Sequence, residues 1–422
     1  MTAGNHPRYN ARTVIRLLTC LLFVLLASTA HAEVGFERWF KVYLMGQPSG
    51  HAVIRREKID EQIVSAQEMT LEVRRGPATV QLVQSSRFIE TASGQAISAT
   101  TTIKMAHGVI ETHAEFGEDD LTITTRQGDR TSTAEHPLPD ERWLPPAAAD
   151  RYVQRKMEKG AREIEYRTLD PQIAPRPYTM HVEVLGETTV EVVGKDVPAI
   201  ERRTEMNALP GVVITDFVDD RGQPLVSSMR MGGMEVRLVA SDEQVARARL
   251  SPPELLASLL VRAEPPIDHP RQLDRGKYRL HVTEGEMPPL PRTSRQHVRA
   301  VDGRTAIVTV DVTGGFEPAD GPPTVTHSTL IDGRDQRIAA LADEAVADAD
   351  DGAAAQAEAM RRFVLEYIHA KGLGVGMATA SEAARTRSGD CTEHAMLLGA
   401  MLRAHDIPSR VASGLVYADQ FL

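Results

Sequence analysis

The sequence predicts a multidomain protein: a mostly antiparallel β region followed by a smaller C-terminal α+β region. Three observations predict it. The chain has 422 residues, more than one ordinary core needs. Short alternating apolar runs broken by Gly, Asp and Ser fill residues 33 to about 250, the pattern of an antiparallel sheet. Near residue 333 the spacing of apolar residues changes from two to three and four, which is helical. Hydrophobic residues at 42% and charged residues at 25% place the chain among soluble globular proteins. A net charge of −10 and the lack of any Lys/Arg block exclude a duplex nucleic-acid binder, which needs a basic face to neutralise phosphates.

Residues 1–32 read as a secretory signal peptide. Arg8, Arg12 and Arg16 form a positive leader, residues 17–27 are apolar except for Thr19, and Ala30-His31-Ala32 fits a small-x-small cleavage site. The apolar run is short for a bilayer span, so the membrane would be met only through an uncleaved leader, and the expected location is periplasmic or secreted. Of two cysteines, Cys20 lies in the leader, and removing it leaves Cys391 alone. A single thiol in an oxidising compartment is either incidental or reactive.

Along the β region, strands are expected at 70–74, 79–89, 96–105, 109–116 and 121–125, after an opening hairpin whose turn is Gly46 to Gly50. A helix is expected at 147–159, between Pro146 and Gly160. Strands resume at 178–185, 190–193, 212–217, 225–231 and 235–239. Gly94-Gln95-Ala96-Ile97-Ser98 is echoed by Gly222-Gln223-Pro224-Leu225-Val226-Ser227, and each leads into a strand, a Met and a Gly. Two related β units or two ordinary hairpins would both give this echo. Residues 251–330 are expected as a junction with a helix at 254–262 and a small β segment, clearest at 277–282 and 306–312.

Residues 331–422 form the last domain, with helices expected at 336–347 and 353–371. Asp348, Asp350 and Asp351 between them lack the remaining ligands of a calcium loop and read as cap and solvated linker. No cofactor, metal or nucleotide is expected.

The chemistry is expected at Ser388-Gly389-Asp390-Cys391-Thr392-Glu393-His394-Ala395. A glycine turn leads into a helix whose Ala395, Leu398, Met401 and Leu402 share an apolar face, so Cys391 falls in the first turn. Helix N-termini present unpaired amides and a partial positive charge, which favours thiolate and can hold an oxyanion. Asp390 reads as a cap, Glu393 as an early-helix acid favoured by the dipole, and His394, one turn from the thiol, as a residue packed along the helix rather than a base. His405-Asp406 lies at the far end of the same helix, roughly 20 Å away at 1.5 Å per residue, and cannot serve the same thiol.

Together with Ala380-Ser381-Glu382-Ala383-Ala384, Leu397, Leu398, Arg403-Ala404, Ile407-Pro408-Ser409-Arg410 and Gly414, this stretch resembles the transglutaminase-like superfamily over roughly residues 335–422. The resemblance implies a papain-like core in which Cys391 attacks an amide carbonyl to form a thioester. A His and an Asp on following strands would be base and orienting group. Only the cysteine maps onto this sequence. The His and Asp are expected beyond Leu422, with 411–417 as the first strand of their sheet. The core would then be incomplete and the 422-residue chain inactive. The implied substrate is a protein or peptide, a cell-wall peptide among the candidates. The competing expectation is a non-catalytic exported β-rich scaffold or binding protein.

Overall fold

The computed structural model describes residues 35–417 apart from 76–77, 106–107, 128–129, 139–141, 210–211, 232–233, 249, 255–260, 262, 284–286, 319–324, 326, 329, 372–377 and 413. The leader expected at 1–32 and most of the helix expected at 254–262 lie outside these residues. The described residues divide into two compact units, residues 35–258 and residues 259–371 with 378–417. The tract from 259 onward thus groups with the C-terminal helices.

In the first unit, eight strands follow one another: β1 (Phe36–Leu44), β2 (Gln47–Ile59), β3 (Gln62–Arg75), β4 (Ala78–Thr91), β5 (Ala96–Met105), β6 (Gly108–Phe116), β7 (Asp120–Gln127) and β8 (Arg130–Pro137). Helix α1 (Pro146–Glu158) separates them from β9 (Glu163–Thr168), β10 (Tyr178–Val192), β11 (Lys195–Met206), β12 (Val213–Val218), β13 (Pro224–Met231) and β14 (Met234–Ser241), after which comes the short helix α2 (Glu243–Ala246). Among the described residues these strands form one 14-stranded sheet in the order 8-7-6-5-4-3-2-1-14-13-12-11-10-9. Every neighbouring pair is antiparallel, and β1 joins the two runs by pairing with β14 from Trp39↔Ser241 to Leu44↔Val236.

The core explains the curvature. Phe40, Val42 and Leu44 of β1 share one buried cluster with Met69, Leu71 and Leu82 of β3 and β4 and with Tyr178, Met180, Ile214, Met229 and Leu238 of β10 to β14. Strands far apart in the order therefore face each other, as expected of a long twisted sheet that curls to bury one face. Each fully buried large apolar side chain here contributes about 1.5–3 kcal/mol.

The two echoed turns are the same structure. Gly94 N–H donates to the Thr91 carbonyl and Thr91 N–H to the Gln95 carbonyl; Gly222 and Asp219 make the corresponding bonds with Asp219 and Gln223. The Thr91 hydroxyl and the Asp219 carboxylate each accept the N–H four residues on, at 3.0 and 2.7 Å. Both glycines have positive φ, +87° and +76°, which is why glycine recurs there.

Two expectations for this unit are corrected. The runs 178–185 and 190–193 are one strand, β10, which carries a bulge between Val184 and Gly186 and so interrupts its alternation without ending. Strands β8, β9 and β11 were not expected. β8 is mostly exposed Thr, Ser and Glu at a sheet edge, and β11 hides Arg202 among its polar residues.

Helix α1 begins at Pro145-Pro146 without a cap from its own N-cap side chain. The cap comes from β4: the Glu90 carboxylate accepts the Ala147 N–H at 2.8 Å and lies 3.6 Å from Arg151. Burial pushes the Glu90 carboxyl up to about 7 from the ordinary 4.5. The folded state therefore holds the proton more tightly than the unfolded chain does. The associated stability is fully present below pH 4.5 and is lost as pH rises to about 7. Glu90→Gln is expected to remove about 3 kcal/mol of that decline, measured by urea unfolding across the interval. An unchanged pH slope in the variant would contradict the assignment.

In the second unit, β15 (Arg275–His281), β16 (Gln296–Ala300) and β17 (Thr305–Asp311) form an antiparallel sheet with β17 in the middle. Then come α3 (Gln336–Val346), α4 (Ala353–Tyr367), β18 (Ala370–Lys371), α5 (Ala380–Thr386), β19 (Ser388–Gly389) and α6 (Cys391–Ala404). The four helices pack on one another through Ile338, Leu341, Met360, Val364, Leu397 and Met401. Ala380, Ala383 and Ala384, all fully buried, let α5 approach closely.

Here too the structure amends expectations. The second helix ends at Tyr367, not 371, because Ile368 leaves the helical conformation (φ −83°, ψ 88°) and is buried, and 370–371 then pair in parallel with 388–389. Asp348, Asp350 and Asp351 do not cap α4; its N-cap is Gly352, with φ +113° and no side-chain cap. No strand is assigned among the described residues of 411–417, where Leu415 and Val416 are exposed. A strand exists only through a hydrogen-bonded neighbour, and this segment has none among the described residues.

Candidate functional site

The site is built on the turn from β19 into α6. Cys391 is the first helical residue, and its thiol is free and exposed. Asp390 is the N-cap: its carboxylate accepts the Thr392 N–H at 2.7 Å and the Glu393 N–H as well. Glu393 returns the interaction, accepting the Asp390 N–H at 2.8 Å, which closes a capping box. With the amides of residues 392 and 393 taken up by Asp390, the Cys391 N–H is the first-turn donor without a hydrogen-bond partner among the described residues. It is one donor for an oxyanion beside the sulfur, fewer than the sequence suggested.

Glu393 does more than the sequence suggested. It is completely buried, and its second oxygen accepts the Ala378 N–H at 2.9 Å. One carboxylate thereby ties the entry of α5 to the cysteine turn. Burial pushes its carboxyl above the ordinary carboxylate range, and the neighbouring Asp390 adds to the effect. Gly389 is the counterpart of this arrangement. A Cβ there would lie 2.2 Å from the Glu393 Cβ and 2.5 Å from its Cγ, so only glycine allows Glu393 to fold back over the turn. The sequence signal for this was the Glu three residues after a cap residue; its tie to Ala378 had no local signal.

His394 is committed elsewhere. Its Nδ1–H donates to the Asp390 carbonyl at 2.6 Å, and among the described residues nothing bonds the imidazole to the Cys391 sulfur. Among the described residues no base is bonded to the thiol, and His394 lies along the helix as read from the sequence.

The residues beyond α6 are structural. The helix ends in a Schellman turn: Asp406 takes φ +55°, the Ile407 N–H donates to the Leu402 carbonyl at 2.8 Å, and the Asp406 N–H donates to the Arg403 carbonyl. Arg403 is buried, and its guanidinium donates to the Ser409 hydroxyl at 3.2 Å and carbonyl at 3.0 Å. The Ser409 hydroxyl donates to the Gly399 carbonyl. The Arg-Ala and Ile-Pro-Ser spacing thus encodes a clamp that folds the chain back along the cysteine helix. His405 pairs with Asp343 of α3 at 2.9 Å, at the opposite end of α6 from Cys391.

Comparison with known proteins adds the following. Residues 339–421 match the family model described as the transglutaminase-like superfamily. That range takes in most of α3, all of α4 to α6 and the clamp. No curated protein matches the chain. Among solved structures, a beta-barrel-like protein of the domain of unknown function DUF1849 from Brucella abortus aligns at 13% identity and TM-score 0.39, covering 50% of this chain and 98% of that one. The hypothetical lipoprotein YmcC from Escherichia coli (K12) aligns at 10% identity and TM-score 0.20, covering 56% of this chain and 99% of that one. At these scores neither bears on what this chain does. No helix among the described residues is long and apolar enough to cross a membrane.

Proposed function

We propose that the region matching the transglutaminase-like superfamily makes this an exported thiol acyltransferase or amidase whose nucleophile is Cys391, acting on a protein or peptide, with cell-wall peptides as one substrate class. The observation that carries the reading is the exposed free thiol at the first position of α6, on a turn held by a buried reciprocal cap. In the reaction the thiolate attacks an amide carbon, and the C–N bond breaks to leave a thioester and an amine, which takes up a proton. Water then gives hydrolysis, whereas a second amine gives transamidation; either regenerates the thiol. The exported location rests on the leader at residues 1–32.

Among the described residues no side chain is bonded to the Cys391 sulfur that could carry these proton transfers. His394 is held by the Asp390 carbonyl, and we propose that amide turnover by this chain stays at background. An activated ester needs no protonation of its leaving group and separates nucleophile from base. With p-nitrophenyl acetate, acetylation of Cys391 is expected by intact mass and absent in Cys391→Ala. Ammonia release from a glutamine dipeptide, with or without hydroxylamine, is expected to match the Cys391→Ala blank. Equal acetylation of both proteins would sink the nucleophile. Cysteine-dependent ammonia release would overturn the missing base.

A second reading, a non-catalytic β-rich scaffold or binding protein with a vestigial transglutaminase-like domain, is favoured by one observation: among the described residues no imidazole or carboxylate is bonded to the thiol. It predicts no acetylation of Cys391 above that of an ordinary exposed thiol.

A further inference from the structure

A cavity of about 80 Å³ lies inside the β unit, between the inner face of β2 to β5 and the segment joining β9 to β10. Its walls are largely apolar, with Ile54, Phe88, Ile173 and Met180 among them, and Tyr166 and Tyr178 add aromatic surface. Its polar groups are unequal. Arg56 is spent internally: its guanidinium is 2.6 Å from the Asp150 carboxylate and donates to Ser65 at 3.0 Å. Gln172 donates to Thr101, both on the cavity wall, and accepts from Gln84, which does not line the cavity. Asp170 lines the cavity, half-buried, and meets that network at the Gln172 backbone. Its Oδ1 accepts the Gln172 N–H at 2.9 Å. Its Oδ2 has no protein partner, and no basic side chain pairs with it, among the described residues. Burial pushes this carboxyl up to about 6, as befits an acid whose charge has no counterion.

Two arginines and two carboxylates line this largely apolar, aromatic-walled cavity: Arg56 and Asp150 pair with each other, Arg87 is exposed, and among the described residues no ion pair is made to Asp170. We propose that this cavity binds a small organic ammonium, the charged nitrogen meeting Asp170 and its hydrocarbon body filling the space between Ile54, Phe88 and Met180. A carboxylate partly withdrawn from water is stabilised by a paired charge, and aromatic walls favour cations over neutral molecules of the same shape. The site is separate from Cys391 and independent of any reaction there.

The test uses the full chain at a pH above the Asp170 value, titrated calorimetrically with cyclohexylammonium, cyclohexanol and cyclohexanecarboxylate. Saturable binding of the ammonium is expected, at least about tenfold tighter than either analogue, since a charge-assisted bond discriminates on that scale. Asp170→Asn is expected to weaken the ammonium about tenfold or more while keeping the wild-type unfolding midpoint or raising it. Ala99→Leu, which fills the cavity without touching the acid, is expected to abolish binding and decides the matter if Asp170→Asn fails to fold. No saturable binding by the wild type, equal affinity for the alcohol, or unweakened binding by either folded variant would each overturn the proposal.

Discussion

Gly389→Ala is expected to destabilise the C-terminal unit by about 3 kcal/mol or more and to release the turn that presents Cys391. The added methyl would lie 2.2 Å from the Glu393 Cβ, a contact real structures do not tolerate, and φ +156° is unfavourable for alanine. Relief by moving Glu393 is costly, because its two oxygens hold the Asp390 and Ala378 amides. Overpacking of this kind typically costs about 1–3 kcal/mol, and leaving a buried amide without its acceptor costs a further 1–3 or so. Hydrogen exchange at the amides of residues 378 and 390–393, together with denaturant unfolding, would read the effect. Wild-type protection of those amides in the variant would show that the turn does not depend on the glycine.

Arg202→Ala is expected to cost the β unit about 3–5 kcal/mol. Arg202 and Asp216 are directly opposite on β11 and β12, and Asp216 is opposite Ser227 on β13. All three side chains are buried at 1% exposure or less. The Ser227 hydroxyl donates to Asp216 at 2.6 Å, and the guanidinium lies 3.9 Å from the other carboxylate oxygen. Removing the arginine leaves Asp216 without its counter-charge in a dry row of the sheet. The double variant Arg202→Met with Asp216→Leu is expected to recover most of the loss, since replacing both partners by apolar groups removes the desolvation cost as well. A single variant as stable as wild type, or a double variant no better than the single, would contradict this account.

Much of this was legible in sequence where a local rule sufficed. Strand β5 falls at 96–105 as expected, since apolar and polar residues alternate between two turns. Helix α1 falls within a residue of expectation because Pro146 and Gly160 bracket it. Asp390 caps α6 as read, since the carboxylate needs only the amides just after it. The misses share a cause. β8 has no apolar alternation because it is an edge strand with little core to face. β10 looked like two strands because its bulge breaks the period. The residues 411–417 looked like a strand because strand propensity is visible in a sequence and a pairing partner is not.

By itself the sequence determined a β-rich region followed by a helical one, and a lone cysteine after a glycine turn at a helix start with family-like spacing around it. These follow from side-chain periodicity and capping, which act over a few residues. Only the tertiary structure decided that β1 joins two meanders into one curled sheet and that Glu90 caps a helix fifty-seven residues away. It alone decided that Glu393 is a buried tie to Ala378 as well as an early-helix acid, that the Asp390 carbonyl is what holds His394, and that Asp170 lines a cavity with no ion-pair partner of its own among the described residues. Each of these depends on which distant backbone or side chain arrives beside a polar group once apolar burial has folded the chain, and no local pattern encodes that.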